Sequence, residues 1–279
     1  ALGLTVQSIY IGGGTPTSLP NDFFAEMLKM VYNAFYGSHI AEFTVEAGRP
    51  DSMSAEKVAA MKTYAVTRVS VNPQSMQEVT LERIGRHHSP EDIVRMVHEI
   101  RAAMNVHINM DVILGLPGET AADVERTMAA VTALAPDDIT LHALALKRGS
   151  NLRLKMETEH VELPSDAETR LMSEAAVRAV EEAGYRPYYL YRQGYMSGDL
   201  ENVGYARAGA ESIYNIQIME EHQTIIGIGG AATTKVLGIR TGRMRSVFNA
   251  KDLVTYLRDI DIYIEKRRAL LRAEYEEET

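Results

Sequence analysis

The sequence predicts an α/β protein organised around a parallel sheet or barrel. Five short apolar segments with strand character alternate with four segments whose apolar residues recur at helical spacing. Strands that are joined by helices in this way are parallel and share one sheet. A chain of 279 residues is long enough for a single α/β barrel. In such folds the functional site lies at the carboxyl ends of the strands.

The first strand segment, residues 8–11, runs directly into three glycines. Gly12, Gly13 and Gly14 carry no side chains, so backbone N–H groups there can approach a bound ligand closely. Thr15 and Pro16 follow and end the strand. The residues alone are equally consistent with a tight turn that binds nothing.

The other predicted strands also end at polar residues or turns. They cover residues 43–45, 68–71, 108–114 and 139–146, and the helices between the strands cover residues 21–36, 54–65, 89–104 and 120–134. The helix at 89–104 begins with a capping serine, a proline and acidic residues, which is a typical helix start. Residues 1–150 are therefore predicted to form a barrel domain.

The pattern changes after residue 150, and residues 151–279 are predicted to form a smaller α+β region. A long amphipathic helix covers 165–184, and Asn249 caps a terminal helix. The apolar runs 213–219 and 224–228 are interpreted as paired strands. Between them and the long helix, residues 188–205 are rich in Tyr, Arg and Gly, which is typical either of a wall for a flat, acidic ligand or of an ordinary loop packed with tyrosines.

Composition limits the possible partners and cofactors. The net charge of −9 disfavours nucleic acid and acidic membranes as partners. No apolar run reaches eighteen residues and no signal-peptide pattern is present, so a cytoplasmic location is expected. The chain contains no cysteine, which excludes disulfides and any thiolate metal site made by these residues. The abrupt start, without an initiator Met, suggests a piece of a longer protein.

Two carboxylates are candidates for ligand binding. Glu46 ends an apolar strand, where it could accept hydrogen bonds from a ribose hydroxyl pair; a salt bridge to Arg49 is the alternative. Asp111 lies within the apolar strand 108–114, and a buried carboxylate must be paired or bound to something.

Several other polar residues are weaker candidates. Gln74 follows a strand end and could either bind a ligand or cap the loop. A compact basic cluster, formed by Arg83, Arg86, His87 and His88, precedes a helix start. It is either a solvated loop or a clamp for carboxylates. Its histidines lack metal-ligand spacing, so no metal site is predicted.

Taken together, the motifs resemble a known family. IYIGGGTPT, FTVEAGRP, RVSVNPQS with RIGRHH, INMDVILGLPGET and ITLHALAL occur in the order found in radical S-adenosylmethionine enzymes of the oxygen-independent coproporphyrinogen III dehydrogenase family. The later stretch YRQGYMSGDLENVGYA and the following GIGGAATTK resemble the HemZ branch of that family. The resemblance covers nearly the whole chain.

The resemblance implies a fold and a cofactor site. The fold would be a partial TIM-type (β/α)6 barrel, here without its first strand, followed by the α+β region. The family's CxxxCxxC motif, which binds a [4Fe-4S] cluster, is absent from this chain, so the fragment is expected to be unable to hold the cluster or perform the reaction. S-adenosylmethionine would lie across the strand ends, at positions that match the family's: Gly13, Gly14, Thr15, Glu46, Gln74, Arg86, Asp111 and Ala145.

The resemblance also implies a function. The parent protein would oxidatively decarboxylate the propionates of coproporphyrinogen III in anaerobic haem biosynthesis, with an electron donor as partner. The alternatives are a haem-binding or haem-delivery chaperone of the same family and, if the resemblance is set aside, a nucleotide-binding α/β protein. Contacts to the tetrapyrrole are expected from Arg83, Tyr191, Arg192 and Tyr195.

Overall fold

The computed structural model describes residues 2–145, 161–192 and 200–276, together with positions 152, 156 and 158. The chain forms two compact units. The larger unit covers Val6–Tyr214, and the smaller unit combines Ala1–Thr5 with Asn215–Thr279.

The larger unit contains one seven-stranded sheet with helices between its parallel strands. Its strands are β1 (Ser8–Ile11), β2 (Glu42–Glu46), β3 (Arg68–Ser70), β4 (His107–Leu114), β5 (Asp138–Ala143), β6 (Arg186–Tyr191) and β7 (Asn202–Ala206). Its helices are α1 (Asn21–Phe35), α2 (Ala55–Thr63), α3 (Glu78–Arg83), α4 (Pro90–Ala103), α5 (Ala121–Ala133) and α6 (Asp166–Glu182).

The strand order is β1-β2-β3-β4-β5-β7-β6, and β1 to β5 are parallel throughout. The predicted α/β fold with a curled partial barrel sheet is therefore confirmed. β7 pairs antiparallel with both β5 and β6, and neither strand was predicted. Both strands follow residue 150, and the boundary between the compact units lies between Tyr214 and Asn215.

The two faces of the parallel strands differ sharply in polarity. Alternate residues such as Phe43 and Val45 are fully buried in the hydrophobic core that the helices cover. The opposite, concave face is polar but still buried, and it carries Glu42, Thr44, Arg68, Ser70, Asn109, Asp138 and Thr140. Successive residues of each strand therefore point alternately to the hydrophobic core and to the polar concave face.

A buried ion cluster lies on this concave face. The Arg68 guanidinium donates to Glu42 at 3.0 Å, to Asp138, and to the carbonyl oxygen of Ala210 at 2.7 Å. Its side chain is only 3% exposed. Burial raises the pKa of Asp138 to about 7, although the Arg68 charge opposes the shift. The cluster holds two carboxyl groups and one guanidinium, so a protonated Asp138 would make it electrically neutral.

Helix α7 (Ile213–Glu220) begins at this cluster, so the predicted strand at 213–219 is wrong. The carboxylate of Glu42 accepts hydrogen bonds from the backbone N–H groups of Ile213 and Tyr214, at 3.0 and 3.1 Å. It also accepts one from the Ser212 hydroxyl at 3.0 Å. A distant acid thus satisfies the first free N–H groups of the helix, which local sequence does not reveal.

The smaller unit holds the antiparallel pair β8 (Thr233–Leu237) and β9 (Met244–Phe248), followed by α8 (Leu253–Arg258) and α9 (Ile260–Tyr275). The predicted strand at 224–228 is also wrong, because this segment forms only an isolated bridge between Ile225 and Lys235. The predicted terminal helix is present as α8 and α9, but it is capped by Asp252 and not, as predicted, by Asn249. Within the described ranges, no helix is both long and apolar enough to span a membrane.

Candidate functional site

The candidate residues from four strands meet at one edge of the sheet. Glu46 ends β2, Gln74 follows β3, Asp111 lies in β4, and residues 12–15 follow β1. All four strands are parallel, so these positions share their carboxyl-terminal edge. Ala145 follows β5, the fifth parallel strand, by two residues and is half-buried.

The glycine turn after β1 is exposed and open. Gly13 has φ +110°, a conformation that favours glycine, and a Cβ added at Gly13 or Gly14 would meet no atom within 4 Å. Thr15 precedes a short 3-10 helix, Pro16–Ser18, and its carbonyl accepts from the backbone N–H of Ser18 at 2.9 Å. The turn therefore leaves free space beside its backbone.

Gly12 is required for a different reason. A Cβ at this position would lie 2.4 Å from the Tyr10 ring and 2.9 Å from the Glu46 carboxyl group. These distances are shorter than real Cβ contacts, so only glycine allows the two side chains to meet across the turn.

Glu46 is held by Tyr10. The Tyr10 hydroxyl donates a hydrogen bond to Glu46 Oε1, and the Tyr10 ring stacks on Tyr214 with centroids 4.0 Å apart. Burial raises the pKa of Glu46 and the Asp111 charge adds to this, whereas hydrogen bonds from Tyr10 and the Gly13 backbone oppose it. Arg49 does not pair with Glu46; it pairs with Asp51 at 2.7 Å, so the salt-bridge alternative is wrong.

Asp111 is surrounded by polar partners. Asn109 Nδ2 donates to its Oδ1 at 2.9 Å, and His142 Nε2 lies 3.7 Å from the same oxygen. Burial alone would raise the pKa of Asp111, but bonds from His142, Asn109 and Thr140 outweigh it, so the pKa lies below its usual value. The carboxylate form is therefore stabilised, and its side chain remains 21% exposed.

Three amide oxygens near the same strand ends have no hydrogen-bond partner within the described part of the chain. They are Asn72 Oδ1, Gln74 Oε1 and Asn109 Oδ1. Gln74 is only 8% exposed and has φ +65°, a conformation that is uncommon for a residue other than glycine. Its backbone pairs with β4 on both sides, accepting from Ile113 N–H and donating to the Asp111 carbonyl. Buried acceptors without donors are costly, so they favour a ligand that supplies N–H or O–H groups.

Arg86 lies half-buried beside Arg49. Burial and the Arg49 charge lower its pKa, and Asp51 opposes the shift. In the described ranges, the Arg86 guanidinium forms no ion pair or hydrogen bond, since Asp51 binds Arg49 through both of its oxygens. Arg83 is engaged differently: it donates to the carbonyl of Pro117 at 2.7 Å. Arg86 is thus the more available cation of the two.

The candidates for substrate contact lie on or beside β6. The Tyr191 hydroxyl is 3.2 Å from His142 Nδ1. Arg192 forms an exposed ion pair with Glu201 at 3.1 Å. Tyr195 lies outside the described residues. Tyr191 and Asp111 therefore contact opposite ring nitrogens of His142.

Sequence reasoning missed Tyr10 and His142 as members of this site. Each occupies the concave-face position of a strand, in phase with the polar residues of its neighbours: Tyr10 is paired with Thr44, and His142 follows Thr140 by two residues. Period-two alternation together with the parallel register would have identified them. Inspection of strand ends alone could not.

The site is acceptor-rich and negatively charged, with one available guanidinium. It suits a ligand that carries positive charge, N–H and O–H donors and a carboxylate. A metal ion is not suggested: among the described residues, no three His, Asp or Glu side chains form a metal-binding group. A phosphate would be repelled by the two carboxylates.

Sequence comparisons confirm the resemblance. Residues 2–131 match the family model described as "Radical SAM superfamily". The chain is 41% identical over 279 residues to "Oxygen-independent coproporphyrinogen-III oxidase-like protein HemZ" of Bacillus subtilis (strain 168), covering 98% of this chain and 54% of that protein. It is 28% identical over 250 residues to "Heme chaperone HemW" of the same organism, covering 89% of this chain and 62% of that protein. The chain thus spans little more than half the length of these two relatives.

A solved structure supports the fold. Coproporphyrinogen III oxidase (HemN) from Escherichia coli matches with a TM-score of 0.73 over 92% of this chain and 57% of that chain. The two sequences are 19% identical. At this identity the match establishes the fold alone.

Proposed function

Because the chain carries a radical SAM domain, we propose that it is the S-adenosylmethionine-binding part of an oxidoreductase that acts on coproporphyrinogen III. The observation that carries the proposal is the set of acceptors at the strand ends. Two carboxylates, with three amide oxygens that have no partner among the described residues, suit a ligand with positive charge and several donors. S-adenosylmethionine has a sulfonium, an ammonium, an adenine amine and two ribose hydroxyls.

The residues of the site fit the parts of this cofactor. Gly13, Gly14 and Thr15 offer an open backbone turn for the amino-acid part. Glu46 would accept from the ribose hydroxyls, and Gln74 and Asp111 would accept from the remaining donors. Arg86, whose guanidinium is unpaired in the described part of the chain, would bind the carboxylate. Ala145, small and half-buried, would contact the cofactor from beyond β5.

The residues do not fit an iron–sulfur cluster. Its ligands in this class of enzyme are thiolates, and the chain contains no cysteine. We therefore expect these 279 residues by themselves to be inactive. When bound and reductively cleaved, S-adenosylmethionine would supply a radical that abstracts hydrogen.

The residues of this chain would position the cofactor and the substrate and would disfavour the binding of other nucleotides. An anionic, acceptor-rich site would bind the cationic cofactor in preference to phosphate-bearing nucleotides. The substrate's propionates would need cations, for which Arg83 and Arg192 are the candidates, with Tyr191 and Tyr195 as hydrogen-bond donors. Each decarboxylated propionate would lose a hydrogen atom, CO₂ and one electron to become a vinyl group.

A second function is supported by a specific observation. Several relatives carry the name "Heme chaperone HemW", and one of them aligns with 89% of this chain. A haem-binding or haem-delivery protein would use the same cofactor domain without turning over coproporphyrinogen.

Anaerobic assay of the parent protein, with its cluster reconstituted, separates the two functions. Conversion of coproporphyrinogen III to protoporphyrinogen, with one CO₂ released for each vinyl group, supports the oxidoreductase. Tight haem binding without turnover supports the chaperone. The Asp111→Ala substitution should abolish any activity that depends on S-adenosylmethionine. The matched control is Asp261→Ala, a substitution at an exposed position of α9, which should leave that activity unchanged.

A further inference from the structure

Tyr10 connects the candidate ligand residue Glu46 to the buried floor of the sheet. Its hydroxyl donates to Glu46 Oε1, and its ring stacks on Tyr214 at 4.0 Å with an interplanar angle of 15°. Tyr214 is fixed in turn, because its backbone N–H donates to Glu42. Glu42 and Glu46 occupy the same face of β2, so the contacts form a closed circuit.

We propose that Tyr10 is a positioning residue, which fixes the Glu46 carboxylate in the orientation that accepts the ribose hydroxyls of S-adenosylmethionine. The inference rests on the proposed cofactor. Tyr10 donates to Oε1, so the tyrosine itself does not block Oε2. Tyr214 prevents the Tyr10 ring from turning away.

The glycine turn supports this role. Gly12 stands against both the Tyr10 ring and the Glu46 carboxyl group, and any side chain there would separate them. The first glycine of the run thus accommodates the Tyr10–Glu46 contact, while Gly13 and Gly14 face open space. The run has two separate purposes along its length.

Burial and the charge of Asp111 on β4 raise the pKa of Glu46. The Tyr214 hydroxyl at the start of α7 also faces Glu46, whose charge raises the pKa of Tyr214. The Tyr10 hydroxyl on β1 and the Gly13 N–H favour the carboxylate. Burial and Glu46 raise the pKa of Tyr10, so it stays a donor at every working pH. Loss of its hydroxyl should therefore move the titration of Glu46 to higher pH.

The test compares the intact chain with its Tyr10→Phe variant. Tyr36→Phe is the matched control, since Tyr36 is 38% exposed and stacks on Tyr32 away from the site. Calorimetric titration with S-adenosylmethionine at several pH values should give about tenfold weaker binding for Tyr10→Phe at pH 7, the usual loss of one charge-assisted hydrogen bond. The acid limb of the binding curve should shift to higher pH, and Glu46→Gln should remove that limb.

A second readout does not depend on the ligand. Carboxyl ¹³C NMR follows the titration of Glu46 directly, with Glu46→Gln identifying its resonance. A higher Glu46 pKa in Tyr10→Phe but not in Tyr36→Phe supports the positioning role even if the wild-type chain fails to bind the cofactor, a result that would refute only the proposed function. An unchanged Glu46 pKa in Tyr10→Phe, or an unchanged pH profile of binding, overturns the role of Tyr10.

Discussion

Substituting Arg68 by Met should destabilise the larger unit strongly. Arg68 is 3% exposed and makes hydrogen bonds to Glu42, Asp138 and the Ala210 carbonyl. Methionine has a similar volume but no charge. The change therefore leaves two buried acids without their cation and the Ala210 carbonyl without the Arg68 hydrogen bond. The loss should also release the Glu42 carboxylate that fixes the start of α7.

The magnitude follows from the burial of the pair. Removing one partner of a buried ion pair costs about 3–5 kcal/mol, whereas an exposed pair contributes below about 1 kcal/mol. In a unit of this size, each kcal/mol lowers the melting temperature by roughly 2–4 °C, so a fall of about 10 °C is expected. The fall should be smaller at pH 5.5 than at pH 8, because Asp138, left without its cation, can protonate in the folded state.

Thermal unfolding monitored by circular dichroism measures the effect. Arg95→Met is the matched control, since Arg95 pairs with Asp92 on the surface of α4 and is 63% exposed. We expect its melting temperature to stay within about 2 °C of the wild-type value. If Arg68→Met and Arg95→Met shift the melting temperature equally, the buried cluster does not stabilise the fold.

Three further predictions concern neighbouring residues. Gly12→Ala should weaken S-adenosylmethionine binding at least tenfold in calorimetry, because the new Cβ displaces Tyr10 and Glu46. The control Gly37→Ala, whose new Cβ would lie in open space, should bind with wild-type affinity. Equal affinities of the two variants would show that a side chain at Gly12 does not disturb Tyr10 and Glu46. Asp111→Asn should make the stability of the chain less sensitive to acid. The lowered pKa of Asp111 adds stability that is present above the unfolded-state pKa near 3.9 and is lost as the pH falls through the folded-state pKa. Identical profiles of unfolding free energy for variant and wild type, measured by chemical denaturation at pH 3–6, would contradict this. The stability of Asp138→Asn relative to wild type should rise between about pH 4 and 7. In this range the folded-state pKa of about 7 keeps Asp138 protonated, whereas the same residue ionises in the unfolded chain. A stability difference between variant and wild type that is constant with pH would exclude the raised pKa.

The parallel part of the fold could be predicted because its signals are local. Apolar strand segments, helix caps such as Ser89 and the glycine turn all lie in short stretches of sequence, and the predicted strands agree with β1 to β5 within three residues. β6 and β7 were missed because residues 186–191 (RPYYLY) show no alternation of apolar and polar residues. Their place in the sheet depends on the pairing of β7 with the distant strand β5. Helix α7 was missed because its cap is the carboxylate of Glu42, 171 positions away from Ile213.

The candidate site could be predicted only as a set of strand-end residues. Glu46 and Gln74 were recognisable as polar residues at or just after strand ends, and Asp111 as a carboxylate within an apolar strand. Their partners were not. Tyr10 and His142 are ordinary strand residues by sequence, and their contacts to Glu46 and Asp111 follow from the register between strands.

The most direct test of the cofactor proposal is a pair of calorimetric titrations of the wild-type chain. S-adenosylmethionine carries a sulfonium charge, whereas S-adenosylhomocysteine has a neutral sulfur and lacks one methyl group. The anionic, acceptor-rich site predicts binding of S-adenosylmethionine, at least severalfold tighter than S-adenosylhomocysteine, with the preference reduced in Asp111→Asn. Absence of binding by both compounds, or tighter binding of the neutral one, would contradict the assignment of this site to S-adenosylmethionine.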